Sequence, residues 1–235
     1  MASDFLLKET NISAICRWPT LTAEEWVTNY IKTVIDDEDV FAVIGVGSAV
    51  RENVKYSNDI DILSIIKKEK EYFKRRSPIE VDHQTYKADE LESKIINGHD
   101  YLGWAVKYGR VLHEKNNFWS DLVLRLSDRL PFPSVDVALE RAKSAYRYAK
   151  SFVEIGDEDA AAEQLLTLLT HFARAILIKE GIYPASRPEL PEQLKLSNYY
   201  ILADLLSRAM MQNADPAKIL EETKTYNLEI IKDIL

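Results

Sequence analysis

The chain has 235 residues, of which 46% are apolar and 29% charged, and its formal net charge is −8. That length buries a core without disulfides or metals as staples, and that composition excludes a disordered chain. The acid excess is even, with 18 Lys+Arg against 22 Asp+Glu through residue 130 and 12 against 16 beyond it, so no basic tail exists and nucleic-acid binding as a main task is disfavoured.

The N-terminal stretch MASDFLLKETN has no basic region followed by an apolar run, so we expect no signal peptide. Cys16 is the single cysteine and forms no internal disulfide, and no apolar run approaches the roughly 18 residues of a membrane span. A cytoplasmic location and no membrane partner are the expectation. Residues 21–36 read as a helix: Thr22 and Glu25 have capping-box spacing, and Trp26, Tyr30, Ile31 and Val34 recur at helical intervals. Val40 to Ile44 is a continuous apolar run closed by Gly45, the signature of a buried strand. Residues 60–66 form a second β-rich run and residues 78–82 a third, with a charged helix or loop between them. Residues 88–107 read as helix broken near Asn97-Gly98, and 109–113 as a closing strand.

After Pro131-Phe132-Pro133 the pattern changes. Ser134 or Asp136 is placed to cap a long helix over about 137–155, with Gly156 as its C-terminal stop. A wide apolar face follows up to Gly181, and further helices are expected at 197–212 and 216–234. Only seven residues are glycine, below half of the usual share of roughly 7%, which also argues for helix. The fold class is α+β: a small mixed-sheet domain over 1–118, then an all-α antiparallel helical bundle over 119–235. Residues 116–133 bracket the boundary, and the helix at 119–130 fits either side.

One stretch carries chemistry. A glycine-serine turn, Gly47-Ser48, leaves the first strand, and its exposed N–H groups and hydroxyl suit phosphate oxygens. Asp59 and Asp61 are two apart on a strand and so share a face, while Ile60 and Ile62 face the core. Like charges so placed repel unless a cation lies between them, and a hard divalent ion with phosphate as co-ligand resolves the repulsion. Glu80 and Asp82 are again i, i+2 on the next strand, opposite Ile79 and Val81. Three carboxylates beside a phosphate turn can hold two metals roughly 3.5–4 Å apart. The four histidines have no metal-ligand spacing with Cys16.

The segment from Gly47 to Leu63 resembles the signature of the DNA polymerase beta-like nucleotidyltransferase superfamily: an apolar strand, Gly-Ser, about ten residues, then Asp-x-Asp between apolar residues. Arg51 stands where smaller members often carry arginine. The third acid of the pattern sits between apolar residues, which Glu80 matches better than Asp82. Glu52 and Asn58 depart from the glycine and serine of many relatives, and an acid at Glu52 alters the surroundings of the phosphate turn. The resemblance covers roughly 37–115.

It implies transfer of a nucleoside monophosphate, AMP from ATP as donor substrate, to an acceptor hydroxyl with two Mg²⁺ ions. Asp59 and Asp61 would ligate metal. Glu80, or Asp82 in its place, would ligate the second ion and help to deprotonate the acceptor, and Gly47, Ser48 and Arg51 would bind the triphosphate.

Residues 135–212 loosely resemble the HEPN-like helical domains found beside these enzymes, including aminoglycoside nucleotidyltransferases, with a homodimer through this domain as the implied assembly. In HEPN ribonucleases an arginine precedes a histidine by about one turn, whereas here His171 precedes Arg174, so the nuclease pattern is missing. The acids Glu154, Asp157, Glu158, Asp159 and Glu163 read either as a solvated helix terminus or as a face for a cationic substrate. Three functions therefore stand: transfer to a small molecule such as an amino sugar, modification of a protein hydroxyl as in antitoxin-type nucleotidyltransferases, and a catalytically silent nucleotide-binding module.

Overall fold

The computed structural model describes residues 10–230 except 53, 55, 56, 75, 212 and 213, with backbone alone at 72, 74 and 227–230. The reading of the first nine residues, and the last residues of the helix expected to reach 234, lie outside the described residues. The chain forms two compact units that divide at Pro131 and Phe132.

In the first unit, helix α1 spans Leu21–Val34. Its N-cap is Thr20, whose hydroxyl accepts from the Ala23 N–H at 3.1 Å, rather than the expected Thr22. Four strands follow: β1 (Val40–Val46), β2 (Ile60–Ile66), β3 (Val81–Lys87) and β4 (Arg110–Glu114). Between β3 and β4 run α2 (Ala88–Ile96) and α3 (Asp100–Tyr108), and α4 (Phe118–Leu126) closes the unit. The sheet order is β3-β2-β1-β4, with β1 antiparallel to β2 and β4, and β2 parallel to β3.

The sheet is mixed because β1 and β2 are joined by a returning loop and β2 and β3 by a crossover. Both central strands are apolar on both faces, so each face carries its own core. One face packs Val27, Ile31 and Val34 of α1 on Val43, Ile60 and Ile62. The other packs Leu91, Ile95, Leu102 and Val106 of α2 and α3, with Trp119 and Leu122 of α4, on Ile44, Leu63 and Ile65. Trp119 is 2% exposed in that core, which is why α4 falls in the first unit and the division comes later than the boundary read at residue 118.

The third strand is displaced from its expected span. It begins at Val81, while Ile79 and Glu80 form the turn before it. Ile79 is 96% exposed and shares no buried face with Val81. As an edge strand β3 needs few apolar residues, so its polar run from Asp82 to Lys87 gave no apolar signal to mark its length.

The second unit is helical, from α5 (Val135–Ile155) and α6 (Glu158–Lys179) through α7 (Leu190–Leu196) and α8 (Tyr200–Ala209) to α9 (Pro216–Ile230). Ser134 caps α5, and Gly156 ends it in the left-handed conformation at φ 76°. Asp157 caps α6 through the Ala160 N–H. That capping, and the Lys150–Glu154 pair at 3.8 Å, occupy two of the acids near this junction. The helix expected over 197–212 is α8, which starts only at Tyr200 because Asn198 takes φ 65° ahead of it, and α7 lies before the expected span. α6 is long and apolar enough to cross a membrane by composition, but just over half of its apolar window is buried within the fold, as in a core helix.

Candidate functional site

β1 ends at Val46, and Gly47 turns the chain with φ 83° and ψ −168°, a conformation open essentially to glycine. Ser48–Val50 then forms one 3₁₀ turn. The turn and the carboxylates are brought together by strand pairing. Val46 pairs with Asp61 across β1 and β2, and Asp61 lies opposite Asp82 across β2 and β3. The contact is close: a Cβ built on Gly47 would lie 2.2 Å from Asp61 Oδ2.

Asp61 faces away from Ile60 and Ile62, onto the α2–α3 side, where Leu63 and Ile65 are packed. Burial, then the neighbouring carboxylates Asp59 and Asp82, push its carboxyl up to about 7. Asp59 precedes the strand and is exposed, and Asp82 is exposed at the start of β3, with Oδ2 accepting from Gln84 Nε2 at 3.1 Å. Glu80 lies in the turn ahead of β3, half-buried, and its backbone carbonyl accepts from the Ile60 N–H at 2.8 Å. Asp61 thus has Asp82 beside it in register, and Glu80 falls outside the strand.

Ser57 and Arg17, which no sequence signal marked, hold the turn. Ser57 Oγ donates to the Asp59 carbonyl at 2.6 Å, so in the 2.7 Å contact between the two hydroxyls it is Ser48 that donates to Ser57. The phosphate-turn serine is thereby tied to the backbone of the first aspartate. From the N-terminal side, Cys16 and Arg17 both direct their N–H groups at the Ala49 carbonyl. The Arg17 guanidinium donates to the carbonyls of Arg51 at 2.6 Å and Glu52 at 2.7 Å. Arg51 lies with its guanidinium 4.6 Å from the centre of the Tyr108 ring.

His83 is on the opposite face of the sheet from Asp61 and Asp82. Its Nε2 is 3.1 Å from the buried Ser64 hydroxyl, which in turn meets the Tyr30 hydroxyl at 2.7 Å, and its ring packs edge-on to Tyr30. Burial lowers its pKa to about 4, so this network is a neutral core device.

Among the described residues no three His, Cys, Asp or Glu side chains are gathered closely enough to cage a metal ion. The donor set instead fits a hard cation held by one or two carboxylates with phosphate oxygens completing its shell: oxygen ligands, mutual repulsion, and a half-buried carboxyl that burial and like charge hold above the usual carboxylate range.

No family model matches the chain, and no curated protein matches it. Among solved structures, a nucleotidyltransferase-like protein from Exiguobacterium sibiricum 255-15 is similar, with 15% identity, a TM-score of 0.39, and coverage of 89% of this chain and 80% of that one. Overlap at that level leaves the functional reading to the residues.

Proposed function

We propose that the first unit is a nucleotidyltransferase, moving AMP from ATP to an acceptor hydroxyl. One observation carries the reading: the glycine turn after β1 is seated on the Asp61 carboxylate, with Asp82 in register beside it. On this reading the site for phosphate and the site for a cation adjoin at one end of the two central strands.

Asp59 and Asp61 would hold Mg²⁺, which when bound neutralises phosphate charge and aligns the triphosphate. Ser48 and the N–H groups after Gly47 receive phosphate oxygens. The acceptor oxygen forms a bond to the α-phosphorus, and the bond from that phosphorus to the bridging oxygen breaks. Pyrophosphate leaves with the electron pair. Asp82, exposed beside Asp61 in register, takes the hydroxyl proton, with Glu80 as the alternative in this role. An amino sugar or a protein hydroxyl is the acceptor class that the resemblance implies, and the HEPN-like bundle is the part expected to select it, as a homodimer.

The test is incubation with Mg²⁺ and α-labelled triphosphates, with amino sugars and with cell lysate. Label passes to one acceptor class, from ATP in preference to the other triphosphates, and Asp59→Asn abolishes it while leaving the melting curve intact. Retained transfer by Asp59→Asn refutes the mechanism. A second reading, nucleotide binding without transfer, is favoured by the dispersed acids. Mg²⁺-dependent ATP binding with no pyrophosphate released from the wild type would establish it.

A further inference from the structure

Tyr101 opens α3 on the same face of the sheet as Asp61, and packs against the core formed by α2, α3 and α4. Its hydroxyl is buried and has no hydrogen-bond partner among the described residues. A chain of contacts leads from it to the carboxylates. The Tyr101 ring is stacked on that of Tyr86, centroids 6.4 Å apart and planes at 20°. The Tyr86 hydroxyl donates to Gln84 Oε1 at 3.3 Å, and Gln84 Nε2 donates to Asp82. Burial, then the charges of Asp61 and Asp82, hold the Tyr101 phenol well above its ordinary range.

A buried hydroxyl without a partner costs roughly 1–3 kcal/mol, so native proteins rarely keep one without a use. A phenol keeps its proton at neutral pH and serves as a donor. Because the hydroxyl is shut off from solvent, its partner comes from inside. Asp61, on the same face of the sheet and less exposed than Asp82 beside it, is the acceptor that can supply one. Its Oδ2 is held against Gly47, and turning the carboxylate reorients its oxygens. Carboxylates that hold metals are themselves hydrogen-bonded, and losing that support typically costs 10–100-fold in affinity.

We infer that Tyr101 is a positioning residue of this site: its hydroxyl is the hydrogen-bond donor that fixes the Asp61 carboxylate when a cation and a triphosphate are bound. The inference rests on the nucleotidyltransferase reading and names a residue that the resemblance does not.

The test uses the full chain and Mn²⁺ with the non-cleavable triphosphate α,β-methylene-ATP, bound Mn²⁺ being read by electron paramagnetic resonance. Four proteins are compared: wild type, Tyr101→Phe, Asp61→Ala and the double variant. Tyr101→Phe is at least as thermally stable as wild type without ligand, because it removes an unsatisfied hydroxyl, and binds the Mn²⁺–nucleotide about tenfold more weakly. In the Asp61→Ala background the same change has no further effect, since the acceptor is gone. Unchanged binding in Tyr101→Phe, a lower melting temperature without ligand, or an equal loss in both backgrounds overturns the inference. A wild type that binds no Mn²⁺–nucleotide overturns the parent reading as well, and is told apart by that result alone.

Discussion

Gly47→Ala tests the junction of turn and carboxylate most directly. Two costs can be separated. At φ 83° and ψ −168° an alanine is strained by about 1–3 kcal/mol. Its Cβ would also stand 2.2 Å from Asp61 Oδ2 and 3.3 Å from Cγ, so Asp61 must leave its rotamer, at about 0.5–1.5 kcal/mol. Together these come to about 1.5–4.5 kcal/mol. For a unit of this size that is a fall in melting temperature of about 10 °C, at roughly 4 °C per kcal/mol. Gly98→Ala is the control in the same unit: φ is 82°, but no heavy atom lies within 4 Å of the added Cβ. It bears only the backbone strain, about 1–2 kcal/mol, and leaves the site untouched. Thermal melts and Mn²⁺–nucleotide binding are measured for both. Gly47→Ala loses binding and Gly98→Ala keeps it. Equal melting temperatures for the two variants, or wild-type binding by Gly47→Ala, would refute the claim that the turn rests on Asp61.

Arg17→Lys keeps the charge but loses the fork that spans two carbonyls; we expect ATP–Mg²⁺ affinity to drop about fivefold by calorimetry, with a melting temperature within a few degrees of wild type. Trp119→Ala opens a cavity in the α2–α4 core and should cost the first unit about 3–5 kcal/mol in urea unfolding, while the bundle's transition stays in place if α4 belongs to the first unit. His171 gives the bundle a pH dependence. Burial, then Arg174, Arg141 and Arg187, lower its pKa from 6.5 to about 4. The unfolded chain therefore binds a proton that the folded chain refuses between those values, so stability is full above about 6.5, falls as pH drops toward 4, and is level below. Urea midpoints of wild type and His171→Gln at pH 7.5 and 4.5 should differ in slope by about 1–2 kcal/mol, discounted for a half-buried ring; identical slopes would remove His171 as the cause.

What the sequence made legible follows from which forces act locally. The apolar runs at 40–44 and 60–66 became central strands because a strand buried on both faces needs such a run. Gly156 and Ser134 were readable as caps because capping is a contact between near neighbours. β3 was misplaced because an edge strand exposes polar residues that carry no periodic signal. The same distinction divides the site. The spacing of two named Asp59 and Asp61 as candidates, yet Asp59 falls just ahead of β2, and Asp82 meets Asp61 only through the register of two parallel strands. Arg17 reaches the turn from more than thirty residues away, and Tyr101 comes to the sheet face that Asp61 shares on a helix packed against it. Groups that bear charge toward a ligand are thus written in short motifs, because two or three residues suffice to aim them. Groups that hold those residues still are supplied by whatever element the fold brings alongside, and only packing reveals them. If Arg17 and Tyr101 do this work, their loss should weaken binding without unfolding the chain, which is the pattern that separates support of a site from support of a core.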